Sequence, residues 1–241
     1  NQVPDLMEDL EVDASGKALD TDDIKFKLNE FDDHALEEAI LLKESSAADE
    51  VVAMAVDGEG ADKMLFTAIA KGADKAVKLT GGNPSDSHQL GKAFVNALDS
   101  EGYDMVFTGV QSVDDRDGQL GPIMASYLGV PCVSVVSGVS VSGGTAVVHK
   151  EYSGGMMGEF VVDMPAVLGI QAAKQAPRYA PVSKIRQVQE TATISEVSMG
   201  DLGSGCGSNV SSMAPPAKGS GAKMLDDVEE LIEVLKDKGA I

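Results

Sequence analysis

The sequence has 241 residues, of which 43% are hydrophobic and 24% are charged. This length and composition indicate one principal globular core, and they exclude a disordered chain, a collagen and a simple coiled coil. Acidic side chains number 39 and basic ones 19, which gives a formal net charge of −20 at pH 7. Nucleic-acid binding is not expected, because a protein needs clustered Lys and Arg side chains to neutralise the phosphates of a duplex.

The acidic residues are spread along the whole chain, and Trp is absent. This pattern predicts a halophilic, cytoplasmic protein whose stability rises in molar salt, because screening shortens charge repulsion to about 3 Å at 1 M. An acidic protein of an ordinary mesophile is the alternative. No apolar run reaches the ~18 residues of a transmembrane helix. The two cysteines and three histidines lack the spacing of a disulfide framework or a metal site.

From Asn29 onwards the pattern alternates between helices and strands. Apolar residues recur at helical spacing over about three turns after Asn29, with Asp32 and Asp33 at the favourable N-terminal end. The next elements predicted are a strand over 51–56, a helix over 62–71, a strand over 75–79, a helix over 87–98, a strand over 104–108 and a helix over 119–128. This alternation predicts an α/β fold with a doubly wound, mostly parallel sheet, Rossmann-like and of the adenine nucleotide-binding type.

After Pro131 the pattern changes to short strands separated by glycine turns, over 132–141, 145–152, 158–163 and 166–170. These strands predict an antiparallel extension of the sheet. Residues 191–222 are rich in Gly and Ser and are expected to lie extended or mobile, because they bury little area. A final amphipathic helix over 224–238 has one apolar stripe, made of Leu225, Val228, Leu231, Ile232 and Leu235. We therefore expect a nucleotide-binding domain over 1–190 and a partner-binding arm over 191–241.

The candidate ligand site is the loop over 109–122, which follows a predicted strand and leads into a helix. In an open parallel sheet, ligands bind beyond the carboxyl ends of the strands, where glycines and a helix N-terminus accommodate a phosphate. Gly118 and Gly121 permit close approach, and Arg116 is the local cation. A polar loop without a ligand is the alternative. The acidic residues of the loop lack the spacing of a calcium loop, and the sequence contains no credible catalytic triad.

Several stretches, in order and with similar gaps, resemble the beta subunit of electron transfer flavoprotein. They are Val-Pro-Asp at 3–5, Asn-Glu-Phe-Asp at 29–32 leading into Ala-Leu-Glu-Glu-Ala at 35–39, Thr-Ala-Ile-Ala-Lys-Gly-Ala-Asp at 67–74, Gly-Val-Gln-Ser-Val-Asp-Asp at 109–115, Pro-Ala-Val at 165–167 and Pro-Arg-Tyr-Ala at 177–180. The resemblance extends to about residue 190. Two departures are the absence of the family's first strand and Glu30 at the place of a usual proline.

The resemblance implies a heterodimer with an alpha subunit that holds most of one FAD. The pair would carry electrons from dehydrogenases to a quinone oxidoreductase, so this chain would be an electron carrier and not an enzyme. A structural AMP is expected in this subunit. The alternatives are an electron-bifurcating flavoprotein with a second FAD and NADH use, a flavin-free nucleotide-binding sensor and an ATP-using enzyme, the last disfavoured because no P-loop is present.

The resemblance also implies roles for individual residues. The expected cofactor contacts are Leu6, Asn29, Phe31, Asp32, Val56, Gly109, Gln111, Ser112, Asp115, Arg116, Gly118, Gln119 and Leu120, with Leu6 and Phe31 near the flavin ring. A loop over 177–184 is expected to dock dehydrogenases through Pro177, Arg178, Tyr179 and Val182. Structural alternatives are helix caps for Asn29 and Asp32, a hydrophobic staple for Phe31, core for Val56 and a surface contact for Leu6.

Overall fold

The computed structural model describes residues 1–206, 209–217, 219 and 221–241. Residues 207, 208, 218 and 220, which belong to the predicted arm, lie outside the described residues. The chain divides into two compact units. The first unit consists of Asn1–Leu10 and Thr21–Asn209, and the second consists of Glu11–Asp20 and Val210–Ile241.

The elements follow one another in an order that alternates strands and helices through the middle of the chain. The strands are β1 (Gln2–Pro4), β2 (Phe26–Leu28), β3 (Val52–Val56), β4 (Lys75–Thr80), β5 (Met105–Gly109), β6 (Cys132–Ser142), β7 (Thr145–Tyr152), β8 (Met156–Asp163), β9 (Ala166–Ile170) and β10 (Ile194–Ser198). The helices are α1 (Glu30–Glu44), α2 (Ala61–Lys71), α3 (Ser87–Glu101), α4 (Leu120–Leu128), α5 (Val182–Thr191) and α6 (Val228–Asp237).

The strands of the first unit form two principal sheets and one small antiparallel pair, β1 with β2. One principal sheet is parallel and has the order β10-β4-β3. The other has the order β5-β9-β6-β7-β8, in which β5, β9 and β6 are parallel and β7 and β8 add an antiparallel hairpin. The mixed α/β fold and the antiparallel extension predicted from the sequence are therefore confirmed.

The parallel strands do not form the single continuous sheet that the sequence predicted. Among the described residues, β3 pairs only with β4, and β5 pairs only with β9. A cavity lies between β3 and β5, and apolar side chains of both strands line it. The two parallel halves are thus separate hydrogen-bonded sheets on either side of one cavity.

Local chemistry explains where the helices of the first unit begin and end. The Asp86 carboxylate caps α3 by accepting hydrogen bonds from the backbone N–H groups of His88 and Gln89, each at 3.0 Å. The helix α2 ends at Gly72, whose φ of 140° favours glycine. The helix α1 has three acidic residues in its first turn and Lys43 in its last, which matches the helix dipole.

The expectation that residues 191–222 bury little area is wrong for their first part. Residues Ile194–Ser198 form β10 and pair in parallel with β4, and Met199 is fully buried. The Gly- and Ser-rich composition begins only after Met199, so an average over the whole segment hid a five-residue strand. The first compact unit consequently continues to Asn209.

The second unit has little regular structure apart from α6. The predicted helix over 224–238 begins at Val228, because the Asp227 side chain caps it by accepting a hydrogen bond from the N–H of Glu230 at 2.8 Å. None of the residues in this fully described helix is buried. Three residues of its apolar stripe are exposed, Val228 at 66%, Leu231 at 42% and Ile232 at 38%, and Leu235 is half-buried.

Across the part of the chain that the structure describes, none of the helices combines the length and apolarity required to cross a membrane.

Candidate functional site

The principal cavity of the first unit has a volume of about 910 Å³ and reaches the carboxyl ends of β3 and β5. The loop over 109–120 forms part of its wall, together with residues of α1 from Asp32 to Leu42. The position agrees with the rule that ligands of open α/β sheets bind beyond the carboxyl ends of the strands. This cavity is the candidate functional site.

The first turn of α1 is tied to the loop by hydrogen bonds. The Asp32 Oδ1 atom accepts from the backbone N–H of Gly109 at 2.8 Å, and Asp32 Oδ2 accepts from Asn29 Nδ2 at 2.8 Å. The same amide of Asn29 also donates to the carbonyl oxygen of Gln111 at 2.9 Å. Asn29 occupies the N-cap position of α1 but makes no side-chain cap hydrogen bond, so it connects the helix to the loop instead.

Gly109 is needed where β5 meets α1. A Cβ atom at this position would lie 2.8 Å from the backbone N of Asp32 and 2.9 Å from the carbonyl carbon of Phe31. These are backbone atoms, so a side chain fits only if the helix moves. The glycine permits the close approach that lets Asp32 bind the end of the strand.

The loop after Gly109 is held in shape by hydrogen bonds between residues close in sequence. The backbone N–H of Arg116 donates to the carbonyl oxygen of Ser112 at 2.8 Å, and that of Asp117 donates to Asp115 Oδ1 at 2.9 Å. Partial burial, together with the nearby Asp114 and Asp117 carboxylates, raises the pKa of Asp115 above its ordinary value. Arg116 is exposed. The loop thus presents acidic groups and one cation beside the cavity.

Two buried oxygen atoms near this site have no hydrogen-bond partner among the described residues. They are Asn29 Oδ1 and Thr108 Oγ1, in residues that are 0% and 7% exposed. Thr108 ends the apolar part of β5 and lines the cavity. A buried polar atom without a partner costs free energy, so a ligand that hydrogen-bonds to these atoms would offset that cost. The residues therefore fit a polar ligand such as a nucleotide.

The structure brings most of the predicted cofactor contacts together. Those that line the cavity are Asp32, Val56, Gly109, Gln111, Ser112, Asp115, Gly118, Gln119 and Leu120. The others predicted, Leu6, Asn29, Phe31 and Arg116, are not among its lining residues. Asn29 lies directly behind the wall through its hydrogen bond to Gln111, whereas Leu6 is in a turn after β1 and is 55% exposed.

Thr108 was not predicted from the sequence. A polar residue that ends an apolar strand directly before a glycine was the available signal.

The predicted docking loop is shorter than expected. Val182 is the first residue of α5, so the irregular segment ends at Pro181, whose fixed φ suits the entry to a helix. Tyr179 and Val182 are 80% and 58% exposed. Arg178 does not point freely to the solvent, because its guanidinium group forms ion pairs with the carboxylates of Glu37 and Glu44 of the same chain.

The ion pair with Arg178 changes the acidity of Glu37. Burial acts to raise the pKa of this carboxyl group, but hydrogen bonds from the side chain and backbone of Arg178 and from Gln175, with the guanidinium charge, outweigh it. Together they lower the pKa of Glu37 to about 2. The side chain of Glu37 is therefore ionised at every pH at which the protein is expected to work.

The fold and the cavity define a class: an α/β protein with a cavity at the carboxyl ends of parallel strands. Comparison with known proteins identifies the family. The sequence profile of the electron transfer flavoprotein domain matches residues 17–201. The chain is 40% identical over 207 residues to the electron transfer flavoprotein subunit beta of Methylophilus methylotrophus, a match that covers 84% of this chain and 78% of that protein.

Two further relatives match over the whole of this chain. The electron transfer flavoprotein subunit beta of Mus musculus is 29% identical, and that of Dictyostelium discoideum is 26% identical, with 96% of each relative covered. The chain therefore belongs to the electron transfer flavoprotein family, as the sequence resemblance predicted. Its relatives are beta subunits of electron carriers, which implies an alpha subunit as partner.

Replacement of Gly109 by Ala should lower the free energy of unfolding by about 1–3 kcal/mol, the usual cost of forcing an extra carbon into a packed site. The physical reason is the 2.8 Å approach of the new Cβ to the backbone of Asp32. Urea denaturation measures the loss. Gly58→Ala is the matched control, since no atom lies within 4 Å of a Cβ built there. Equal losses in the two variants would contradict this explanation.

The stabilising effect of Glu37 should depend on pH. Its folded-state pKa of about 2 lies below the ordinary 4.5, so its contribution is complete above pH 4.5 and is lost as the pH falls towards 2. The free energy of unfolding that Glu37→Gln loses should therefore be about 3 kcal/mol at neutral pH and should shrink over that window.

Denaturation of both proteins at several pH values provides the measurement. Glu190→Gln, which removes a negative charge from an exposed position, controls for the change in net charge. A difference between native protein and Glu37→Gln that stays constant from pH 7 to pH 2 would show that the ion pair is not its source.

Proposed function

We propose that this chain is the beta subunit of a heterodimeric electron transfer flavoprotein, with AMP bound beside the loop over 109–120. The alpha subunit would hold most of one FAD, whose flavin ring supplies the redox chemistry, and the complex would carry electrons from dehydrogenases to a quinone oxidoreductase. The single observation that supports nucleotide binding is the buried, unpartnered Thr108 Oγ1 atom in the wall of the cavity. Family membership supports the electron-carrier role.

The chain's own groups would hold the nucleotide in two ways. The backbone N–H groups of Leu120 and Gly121, the first two residues of α4, have no partner within the helix and carry its partial positive charge, so they suit a phosphate. No acidic residue lies in the first turn of α4 to oppose this. Thr108 would hydrogen-bond a polar atom of the ligand, and Asn29 would support the loop from behind through its hydrogen bond to Gln111. Gly118, with its φ of 66°, shapes the loop before α4.

The charges of the loop favour AMP over a second FAD. The carboxylates of Asp114, Asp115 and Asp117 lie within four residues of one another, and Arg116 is the only cation among them. A diphosphate would be repelled more strongly than a monophosphate at this place. Pro122, early in α4, resembles the pattern of bifurcating members, but a proline also suits the first turn of any helix.

Three parts of the chain would contact other subunits or proteins. Leu6 and Phe31 would face a flavin held by the alpha subunit, and Tyr179 with Val182 would contact dehydrogenases. The exposed apolar stripe of α6 would pack against the alpha subunit, because a one-sided apolar helix with no buried residue is stabilised by covering that face.

Extraction of the purified heterodimer should release one FAD and one AMP per complex. Two FAD and no AMP would establish the bifurcating alternative, and a complex without flavin would favour the nucleotide sensor.

Thr108→Val should weaken AMP binding about fivefold, the effect of one lost hydrogen bond of about 1 kcal/mol. Calorimetric titration with AMP measures this change. Thr145→Val, which removes a hydroxyl from the hairpin turn between β6 and β7, should bind AMP as the native chain does.

Val182→Glu should slow electron transfer from a partner dehydrogenase about tenfold, because an apolar contact worth roughly 1.5 kcal/mol would be replaced by a charge that must be desolvated. Flavin content should not change. Gln187→Glu adds the same charge at another exposed position of α5 and should leave the rate unaltered. Stopped-flow reduction of the complex by the dehydrogenase measures both variants. Equal rates for native protein and Val182→Glu would refute docking at this segment.

Removal of residues 210–241 should separate the chain from the alpha subunit at low micromolar concentration. Deletion from 191 is unsuitable, because it would also remove β10 from the first unit. Size-exclusion chromatography of the mixed subunits measures association. The double variant Val228→Asp with Leu231→Asp should dissociate as well, whereas Glu229→Ala with Glu233→Ala on the same helix should not. Co-elution of the truncated chain with its partner would contradict the role of the arm.

A further inference from the structure

One face of α1 holds the segment that leads to the exposed Tyr179 and Val182. His34, Glu37, Glu38 and Glu44 share that face, because helical residues separated by three, four or seven positions lie above one another. Each of these four side chains forms a hydrogen bond or an ion pair with a residue of the 173–178 segment. Two of them, Glu37 and Glu38, are only 1% exposed.

Three backbone N–H groups of the segment donate to three side chains of the helix. Ala173 donates to His34 Nδ1 at 3.2 Å, and Lys174 donates to Glu38 Oε2 at 3.0 Å. Arg178 donates to Glu37 Oε2 at 3.0 Å. Because the amides of residues 173, 174 and 178 all donate to side chains of the same helix, the path of this irregular segment is fixed relative to α1.

The guanidinium group of Arg178 adds a planar, two-point contact. Its Nε and Nη2 atoms donate to the two carboxylate oxygens of Glu37, each at 2.9 Å, and Nη1 donates to Glu44 Oε1 at 2.6 Å. Gln175 Nε2 donates to Glu37 Oε1 at 3.0 Å. Glu37 thus accepts four hydrogen bonds, and a bidentate pair of this kind fixes orientation as well as distance.

Tyr179, the residue immediately after Arg178, has an exposed aromatic side chain. Arg178 is held by Glu37, Ala180 is 6% exposed, and Tyr179 between them is 80% exposed. The conformation that turns Tyr179 outwards is therefore set by fixed neighbours on both sides. Breaking such a pair is destabilising, but apolar residues of similar volume often stabilise a buried site equally well, so a role in fixing geometry accounts better for the use of charged residues here.

We infer that Glu37 and Arg178 are positioning residues that hold Tyr179 and Val182 in the conformation that docks the dehydrogenase. The inference rests on the proposed function, in which this segment is the docking surface. A surface ordered before contact does not lose that conformational entropy on binding, so the pair raises affinity without touching the partner. Loss of the pair should consequently weaken docking and leave the electron transfer step itself unchanged.

The test uses the complete heterodimer loaded with its flavin. In Glu37→Gln, hydrogen exchange at the amides of Ala173, Lys174 and Arg178 should accelerate at least tenfold. The apparent KM for the dehydrogenase should rise about fivefold, while kcat at saturating dehydrogenase stays within twofold and flavin content is unchanged. Arg178→Lys keeps the charge but loses the two-point contact, so it should raise the KM by a smaller factor and serves if Glu37→Gln fails to fold.

Lys71→Gln is the control for a general loss of stability. It breaks the ion pair between Lys71 and Asp33, in which the lysine side chain is 10% exposed, at a place outside the 173–178 segment. Its KM for the dehydrogenase should equal that of the native complex. A rise in KM that is the same for Lys71→Gln and Glu37→Gln would overturn the positioning role.

Two further outcomes overturn the inference. Faster exchange with an unchanged KM would show that order in the segment does not matter for docking, and unchanged exchange would show that Glu37 does not hold it. Val182→Glu, measured in parallel, separates this failure from that of the proposed function. If Val182→Glu also leaves the KM unchanged, the segment is not the docking surface; if it alone raises the KM, only the positioning role fails.

Discussion

The place of helix α1 is the constraint on which the rest of the first unit depends, and carboxylates fix it along its length. Near its beginning, Asp32 accepts a hydrogen bond from the N–H of Gly109 at the end of β5. Further along, Glu38 accepts from the N–H of Val139 in β6 at 2.8 Å, and Glu37 binds Arg178. The helix therefore supports both the wall of the cavity and the segment that exposes Tyr179. A displacement of α1 would break charge-assisted hydrogen bonds at both places.

Some of the few cations of this acidic chain lie in partly buried ion pairs. Lys78 lies within 4 Å of three carboxylates, and its side chain is only 13% exposed. Hydrogen bonds from Lys78 to Asp62 and Glu196 raise its pKa well above the ordinary value. Lys71 and Arg178 are likewise bound to carboxylates. Because these three cations are largely withdrawn from the surface, they add to the excess of negative charge that is presented to the solvent and to partners.

Periodic patterns in the sequence were sufficient to predict most of the fold, because each depends on neighbours in the chain. Strand β9 was predicted at its observed bounds, and the helix after Asn29 extends one turn beyond the prediction. Strand β10 was missed, because its pairing with β4 joins residues more than a hundred positions apart. The start of α5 at Val182 was missed because the loop was assigned by resemblance and not by helical periodicity.

The candidate site, like the fold, was predicted from the sequence only in part. A glycine-bearing loop between a strand and a helix was visible in the sequence, and so was the membership of Asp32 and Gln119 in one site. The unpartnered state of Thr108 Oγ1 was not, because it depends on which groups fail to reach a buried atom in three dimensions. The expected docking role of Arg178 was assigned without knowledge of its partners, and Glu37 lies 141 positions away from it.

The sequence by itself determined the class of fold, the family and the loop that forms part of the cavity wall, because local periodicity and ordered motifs are properties of the chain alone. Only the tertiary structure decided which charges are neutralised inside, which oxygen atoms are left without a partner and which side of the 173–178 segment faces outwards. Those properties arise when distant residues such as Glu37 and Arg178 are brought within hydrogen-bond distance. Desolvation and the directionality of hydrogen bonds then select one arrangement among many that the same composition would allow.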